Sequence, residues 1–165
     1  TAQAYTVFAN EGKLKPISLI KKDDLKISKK VLSSKTTKDM LLMLESVTDA
    51  DGGTAPKAKV YGYRVAGKTG TTRKYINGEY AKDKYIGTFV GLGPVSNPRF
   101  VMAIMIDEPL VEKGYSGGTL AGPVFSRVMS KAFEWYSIEA DGLELKDTQN
   151  KKEGSANKTK LWAIH

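Results

Sequence analysis

With 165 residues, a net charge of +8 and 41% apolar residues, the chain is sized for one domain or part of one, with enough apolar material for a core. The absence of cysteine excludes disulfides, thiol chemistry and cysteine–zinc sites, and no apolar run approaches the roughly 20 residues of a membrane-spanning helix. The lysines are scattered (Lys21-Lys22, Lys29-Lys30, Lys151-Lys152) without interleaved aromatics, so they read as a solvated surface that excludes nucleic-acid binding as the leading function.

In chain order, residues 2–9 carry apolar positions at helical spacing and end at Asn10-Glu11-Gly12, a stop signal. Residues 16–22 alternate as a short strand. Ser34 to Val47 reads as an amphipathic helix with Met40, Leu41, Leu44 and Val47 on one face, capped by Thr36 or Thr37. Asp51-Gly52-Gly53 breaks the chain, and residues 60–72 form the next strand. Asn77-Gly78 marks a hairpin turn. Residues 85–93 and 99–107 are apolar, β-rich runs separated by Pro94 and Asn97-Pro98. Residues 119–136 form a helix with Val124, Phe125, Val128, Met129, Ala132 and Phe133 on one face and Pro123 in its first turns. Helix, three-strand meander, helix is an α+β layout. After about 138 the sequence turns polar, and residues 139–165 read as a flexible tail ending in the lone His165, which reads as a frayed terminus rather than a catalytic base.

Lys68-Thr69-Gly70, followed by Thr71, is the most informative string. In an extended strand Lys68 and Gly70 share one face, and Thr69 and Thr71 share the other. A cation and two hydroxyls at a strand edge suit a carboxylate, and Gly70 lets an incoming backbone approach and pair. K-T-G is one of three motifs, with S-x-x-K and S-D-N, that mark the serine β-lactamases and penicillin-binding proteins.

The surroundings extend the match. Ala66-Gly67-Lys68-Thr69-Gly70-Thr71-Thr72, the upstream Ala2 to Lys13 stretch, and the downstream Tyr85 to Gly91 and Gly117 to Phe125 segments resemble class B penicillin-binding transpeptidases of the division-specific penicillin-binding protein 3 type. The resemblance covers residues 1–138. It implies the C-terminal half of a β-lactamase/transpeptidase-like α+β domain, with three of the five strands of an antiparallel sheet packed with helices. It further implies D,D-transpeptidation of peptidoglycan in septal wall synthesis, a stem peptide ending in D-Ala-D-Ala as substrate, β-lactams as its mimics, and no cofactor or metal. The site residues it implies are Lys68, Thr69, Gly70 and Thr71, with the Thr71 backbone N–H as half of the oxyanion hole. The implied partners are the N-terminal half of the domain and division proteins, on the periplasmic side of the bacterial inner membrane.

The nucleophile motif is not found where the family has it. Ser18-Leu19-Ile20-Lys21 lies in the apolar alternating stretch, and Ser155-Ala156-Asn157-Lys158 follows K-T-G in the polar tail, whereas the nucleophile should open a helix upstream of K-T-G. Since the first residue already lies in a helical pattern, the chain reads as a truncated or cleaved product. Two alternatives stay open: a β-lactamase or D,D-carboxypeptidase fragment, and a non-catalytic penicillin-sensing or binding module. Among other polar groups, Asp107-Glu108 should point opposite ways at a strand end. Arg73 and Lys74 read as an exposed loop or a cleft rim. Gly117-Gly118 reads either as a close approach to the cleft or as a helix cap. Gly91-Leu92-Gly93 lacks the following helix of a dinucleotide fingerprint.

Overall fold

The computed structural model describes residues 1–20, 29–49, 51–110, 112 and 114–142. Three helices, α1 (Ala2–Ala9), α2 (Ser34–Glu45) and α3 (Gly117–Trp135), surround three strands, β1 (Ala66–Ile76), β2 (Glu79–Gly93) and β3 (Phe100–Asp107). The strands form an antiparallel meander in the order β1-β2-β3, which leaves one flank of β1 unpaired among the described residues.

Alternation along β2 divides the core between the two sheet faces. Phe89 faces α3, where Phe125, Met129 and Phe133 are fully buried with Val60, Val65 and Ala121. The Phe89 and Phe125 rings meet edge-on with centroids 5.0 Å apart. Leu92 faces the other way, where Leu41, Leu44, Ala66 and Val95 bury with Tyr5 and Phe8 of α1 against them. The sheet is therefore the middle layer, with α3 on one side and α1 and α2 on the other. This is the α+β arrangement expected from the sequence.

Several local expectations need correction. The described part of the expected 16–22 strand is not a strand, and Lys21-Lys22 lie outside the described residues. Ile17 and Ile20 are 72% and 74% exposed, and the Ser18 hydroxyl bonds the backbone of Ile20 locally. Alternation alone cannot make a strand where no neighbour satisfies its backbone. The α2 cap is Ser33, whose hydroxyl accepts from the Thr36 N–H at 3.0 Å, not Thr36 or Thr37. Thr37 is instead buried, its hydroxyl donating to the Ser33 carbonyl at 2.9 Å. The motif strand starts at Ala66, because Val60 bridges Tyr63 around a Tyr61-Gly62 turn, and it continues to Ile76. Helix α3 starts two residues before the expected position, capped by Ser116, so Pro123 sits in its interior; Val128 points outward at 48% exposure.

The hairpin turn at Asn77-Gly78 is as expected. Both residues have positive φ, 52° and 90°, and they close a two-residue loop between paired Ile76 and Glu79. Of the expected tail, residues 139–142 are described: Asp141 accepts from the Arg64 and Ser96 N–H groups at 2.7 and 3.0 Å, and the Gly142 N–H donates to the Gly62 carbonyl. Residues 143–165, with Ser155 to Lys158 and His165, lie outside the described residues.

Candidate active site on the edge strand

The residues Lys68 to Thr71 lie on β1, opposite Val90, Phe89, Thr88 and Gly87 of β2. Their alternation has a structural consequence. Thr69 and Thr71 stand on the α3 side, in line with Phe89, while Lys68 and Gly70 lie on the α1/α2 side, in line with Val90. The edge thus carries a cation toward one face and two hydroxyls toward the other.

The two hydroxyls have different partners, the start of α3 for Thr71 and Thr54 for Thr69. Thr71 Oγ1 accepts from the Gly117 N–H at 3.2 Å, which leaves its own proton to donate. Thr69 Oγ1 lies 3.2 Å from Thr54 Oγ1. This packing depends on the two glycines at 117 and 118. A Cβ on Gly117 would run into the carbonyls of Thr88 and Gly70, and one on Gly118 into the Thr54 carbonyl. Of the two readings open for this pair, close approach is the one seen, since the helix cap is Ser116, which accepts from the Thr119 N–H at 3.2 Å. The first free N–H groups and positive dipole end of α3 therefore lie directly beneath the threonines. Gly70 also has a reason within the sheet, because a Cβ there would collide with the Thr88 hydroxyl.

Lys68 is exposed, and its Nζ donates to the Thr69 carbonyl at 3.1 Å. Among the described residues no carboxylate pairs with it. Neighbouring cations behave otherwise. Lys74 bonds Asp107 and Glu108 at 3.0 and 2.8 Å, and Lys84 lies 3.3 Å from Glu108. Asp107 and Glu108 do not diverge as expected of adjacent strand residues, because Glu108 has φ 47° and turns its carboxylate back to the same lysine. Hydrogen bonds to Glu108 and Asp107 hold the Lys74 ammonium above the usual lysine range, and Lys74 with Lys84 holds the Glu108 carboxyl below its usual range. Arg73 and Lys74 belong to β1 rather than a loop, and the Arg73 guanidinium sits 5.7 Å from the Tyr85 ring centroid.

The base of the strand is anchored separately. Arg64 donates to both oxygens of Glu45 at 2.7 Å, and this bond raises its affinity for its proton. Buried Thr48 donates to the Val65 carbonyl at 3.1 Å. A cavity of about 860 Å³ lined by Arg64, Arg99, Tyr136 and Asp141 lies beyond this end of β1, away from Lys68. Thr54, Ser116 and Asp141 went unnoticed in the sequence. Only Ser116 carried a signal, a serine just before the final helix.

The family profile for the penicillin binding protein transpeptidase domain matches residues 1–130. The chain belongs to that family. It is 46% identical over 129 residues to a probable peptidoglycan D,D-transpeptidase PenA of Neisseria flavescens, covering 78% of this chain and 32% of that protein. It is 33% identical over 163 residues to the peptidoglycan D,D-transpeptidase FtsI of Escherichia coli, covering 96% of this chain and 27% of that protein. Among solved structures, the apo transpeptidase domain of Burkholderia pseudomallei penicillin-binding protein 3 superposes with a TM-score of 0.77 at 38% identity, covering 85% of this chain and 42% of that one. These relatives support the class B, penicillin-binding protein 3 type of transpeptidase fold. The chain spans about a third or less of the length of the two curated relatives.

Proposed function

We propose that this chain supplies the K-T-G wall of a serine D,D-transpeptidase that cross-links peptidoglycan during septal wall synthesis, and that the wall also binds β-lactams. The observation that carries this reading is the pair Thr69 and Thr71. They stand on one face of a strand edge that is unpaired among the described residues, Thr71 on the Gly117 N–H and Thr69 against Thr54, while Lys68, on the other face, has no carboxylate partner among the described residues.

A stem peptide ending in D-Ala-D-Ala pairs along the free edge of β1, and its carboxylate accepts from the Thr69 and Thr71 hydroxyls. Lys68 adds positive potential at the carboxylate and favours a deprotonated neighbour among the catalytic hydroxyls. The Thr71 backbone N–H forms half of the oxyanion hole, worth about 3–4 kcal/mol of transition-state stabilisation for one such donor. The nucleophilic serine, its lysine and the second-motif residues come from the rest of the domain, which is this chain's first partner. No cofactor is required. The intact enzyme works on the periplasmic side of the inner membrane beside division proteins, as the relatives named FtsI suggest.

In the complete transpeptidase, Thr69→Val and Thr71→Val should each slow acylation by benzylpenicillin about 10-fold or more, the loss of a hydrogen bond to a charged group. Thr72→Val, on the opposite strand face, should stay near the parent rate. Equal rates for all three variants would remove the carboxylate role from this strand.

A further inference from the structure

Beyond Thr71, the β1–β2 ribbon continues past the end of β3, which pairs only with Ile86 to Gly93. On the Thr71 face of this ribbon the paired positions are Thr71–Gly87 and Arg73–Tyr85, and beyond a break in register between Arg73 and Tyr75 the next pair is Tyr75–Tyr80. All carry aromatic or cationic side chains once past the K-T-G residues. Tyr85 stacks on Tyr115, just before the α3 cap, with centroids 4.4 Å apart and planes 23° from parallel. Tyr75 and Tyr80 meet at 69° with centroids 5.2 Å apart, forming an L-shaped notch, and remain 65% and 68% exposed. The two rings are thus open to a ligand while in contact with each other.

We infer that the Tyr75–Tyr80 notch is a carbohydrate-binding platform that seats the glycan strand from which the stem peptide hangs. This inference rests on the transpeptidase reading above. The apolar C–H face of a pyranose packs on an aromatic face, and an open L of two tyrosines offers one such face with hydroxyls at its margin. The charge pattern selects a sugar over the other polymers. Lys74 and Lys84 are answered by Asp107 and Glu108, Arg73 lies over the Tyr85 ring, and the sequence sets Glu79 and Asp83 against the charges of Arg73 and Lys82. A balanced tip gives no net attraction for anionic lipid or nucleic acid. Spacing also fits: from Thr71 to Tyr75 is about 13 Å of strand, the reach of a peptide arm of about four extended residues.

The test uses the complete transpeptidase and two double variants, Tyr75→Thr/Tyr80→Thr, which keeps strand propensity, and Tyr75→Phe/Tyr80→Phe, which keeps the rings. Binding of soluble uncross-linked glycan strands bearing stem peptides is compared with binding of the free stem peptide. The threonine variant should bind the polymer about tenfold more weakly, the scale of one stacked ring. Its affinity for free peptide and its acylation by benzylpenicillin should not change, and the phenylalanine variant should keep polymer binding. Parent-level polymer binding by the threonine variant overturns the inference. So does a loss shared by the phenylalanine variant. Failure of the parent protein to be acylated by benzylpenicillin would instead overturn the transpeptidase reading itself.

Discussion

The inner and outer halves of the β1–β2 ribbon are one continuous pairing with opposite environments. From Ala66 to Thr72 the ribbon has β3 beside it, α3 beneath one face and α1 and α2 on the other, and Ala66, Phe89 and Leu92 have no exposure at all. From Arg73 to Ile76 it has no third strand, and its rings face solvent. The K-T-G residues sit on the inner half, close to where the ribbon leaves the body. Their backbone is therefore fixed by a packed core while their edge stays open. A strand edge that must accept a substrate needs both, because an ordered edge lowers the entropy lost on binding.

Substitutions along the ribbon should separate the two halves. The largest effect is expected beneath the site: Phe125→Ala removes the ring that meets Phe89 edge-on and should cost about 3–5 kcal/mol in urea unfolding of the complete domain. Next, Asp141→Ala strands the N–H groups of Arg64 and Ser96 at the base of the strand, for about 1–3 kcal/mol in the same measurement. At the tip, Tyr75→Thr/Tyr80→Thr should change stability by under about 1 kcal/mol, the scale of a cross-strand pair. If the tip variant proved as costly as Phe125→Ala, the ribbon would have no division into wall and free arm.

The smallest effect is a pH dependence at the ribbon's junction with β3. Lys74 and then Lys84 hold the Glu108 carboxyl below its unfolded value, so its stabilisation is complete above that value and is lost as pH falls through the folded one. Lys74 is held above its unfolded value, so its share is complete below that value and is lost as pH rises through the folded one. Lys74→Met should flatten both limbs slightly in a pH series of melting temperatures. Both groups are solvent-accessible, so the change is small and should shrink further with added salt.

The parts of the fold legible in the sequence were those with a local physical code. Asn77-Gly78 demands two positive φ values, the Phe125, Met129 and Phe133 spacing makes a helical stripe, and the apolar β2 and β3 runs needed only each other. Ile17 to Ile20 failed because alternation specifies a face and not a neighbour. Glu108 was misjudged because one positive φ after a strand reverses where a side chain points. Asp141 left no trace, since its partners lie 77 and 45 residues away. The K-T-G string was readable as a motif. That Thr71 rests on the Gly117 N–H, and Thr69 against Thr54, required the fold.

The most direct test of the central claim is intact-mass spectrometry of the assembled transpeptidase after incubation with benzylpenicillin, followed by mapping of the adduct. The account predicts one acyl adduct per domain, on a serine outside this chain's 165 residues, with the chain itself unmodified. An adduct on Ser18, Ser155 or any other residue of this chain would contradict it.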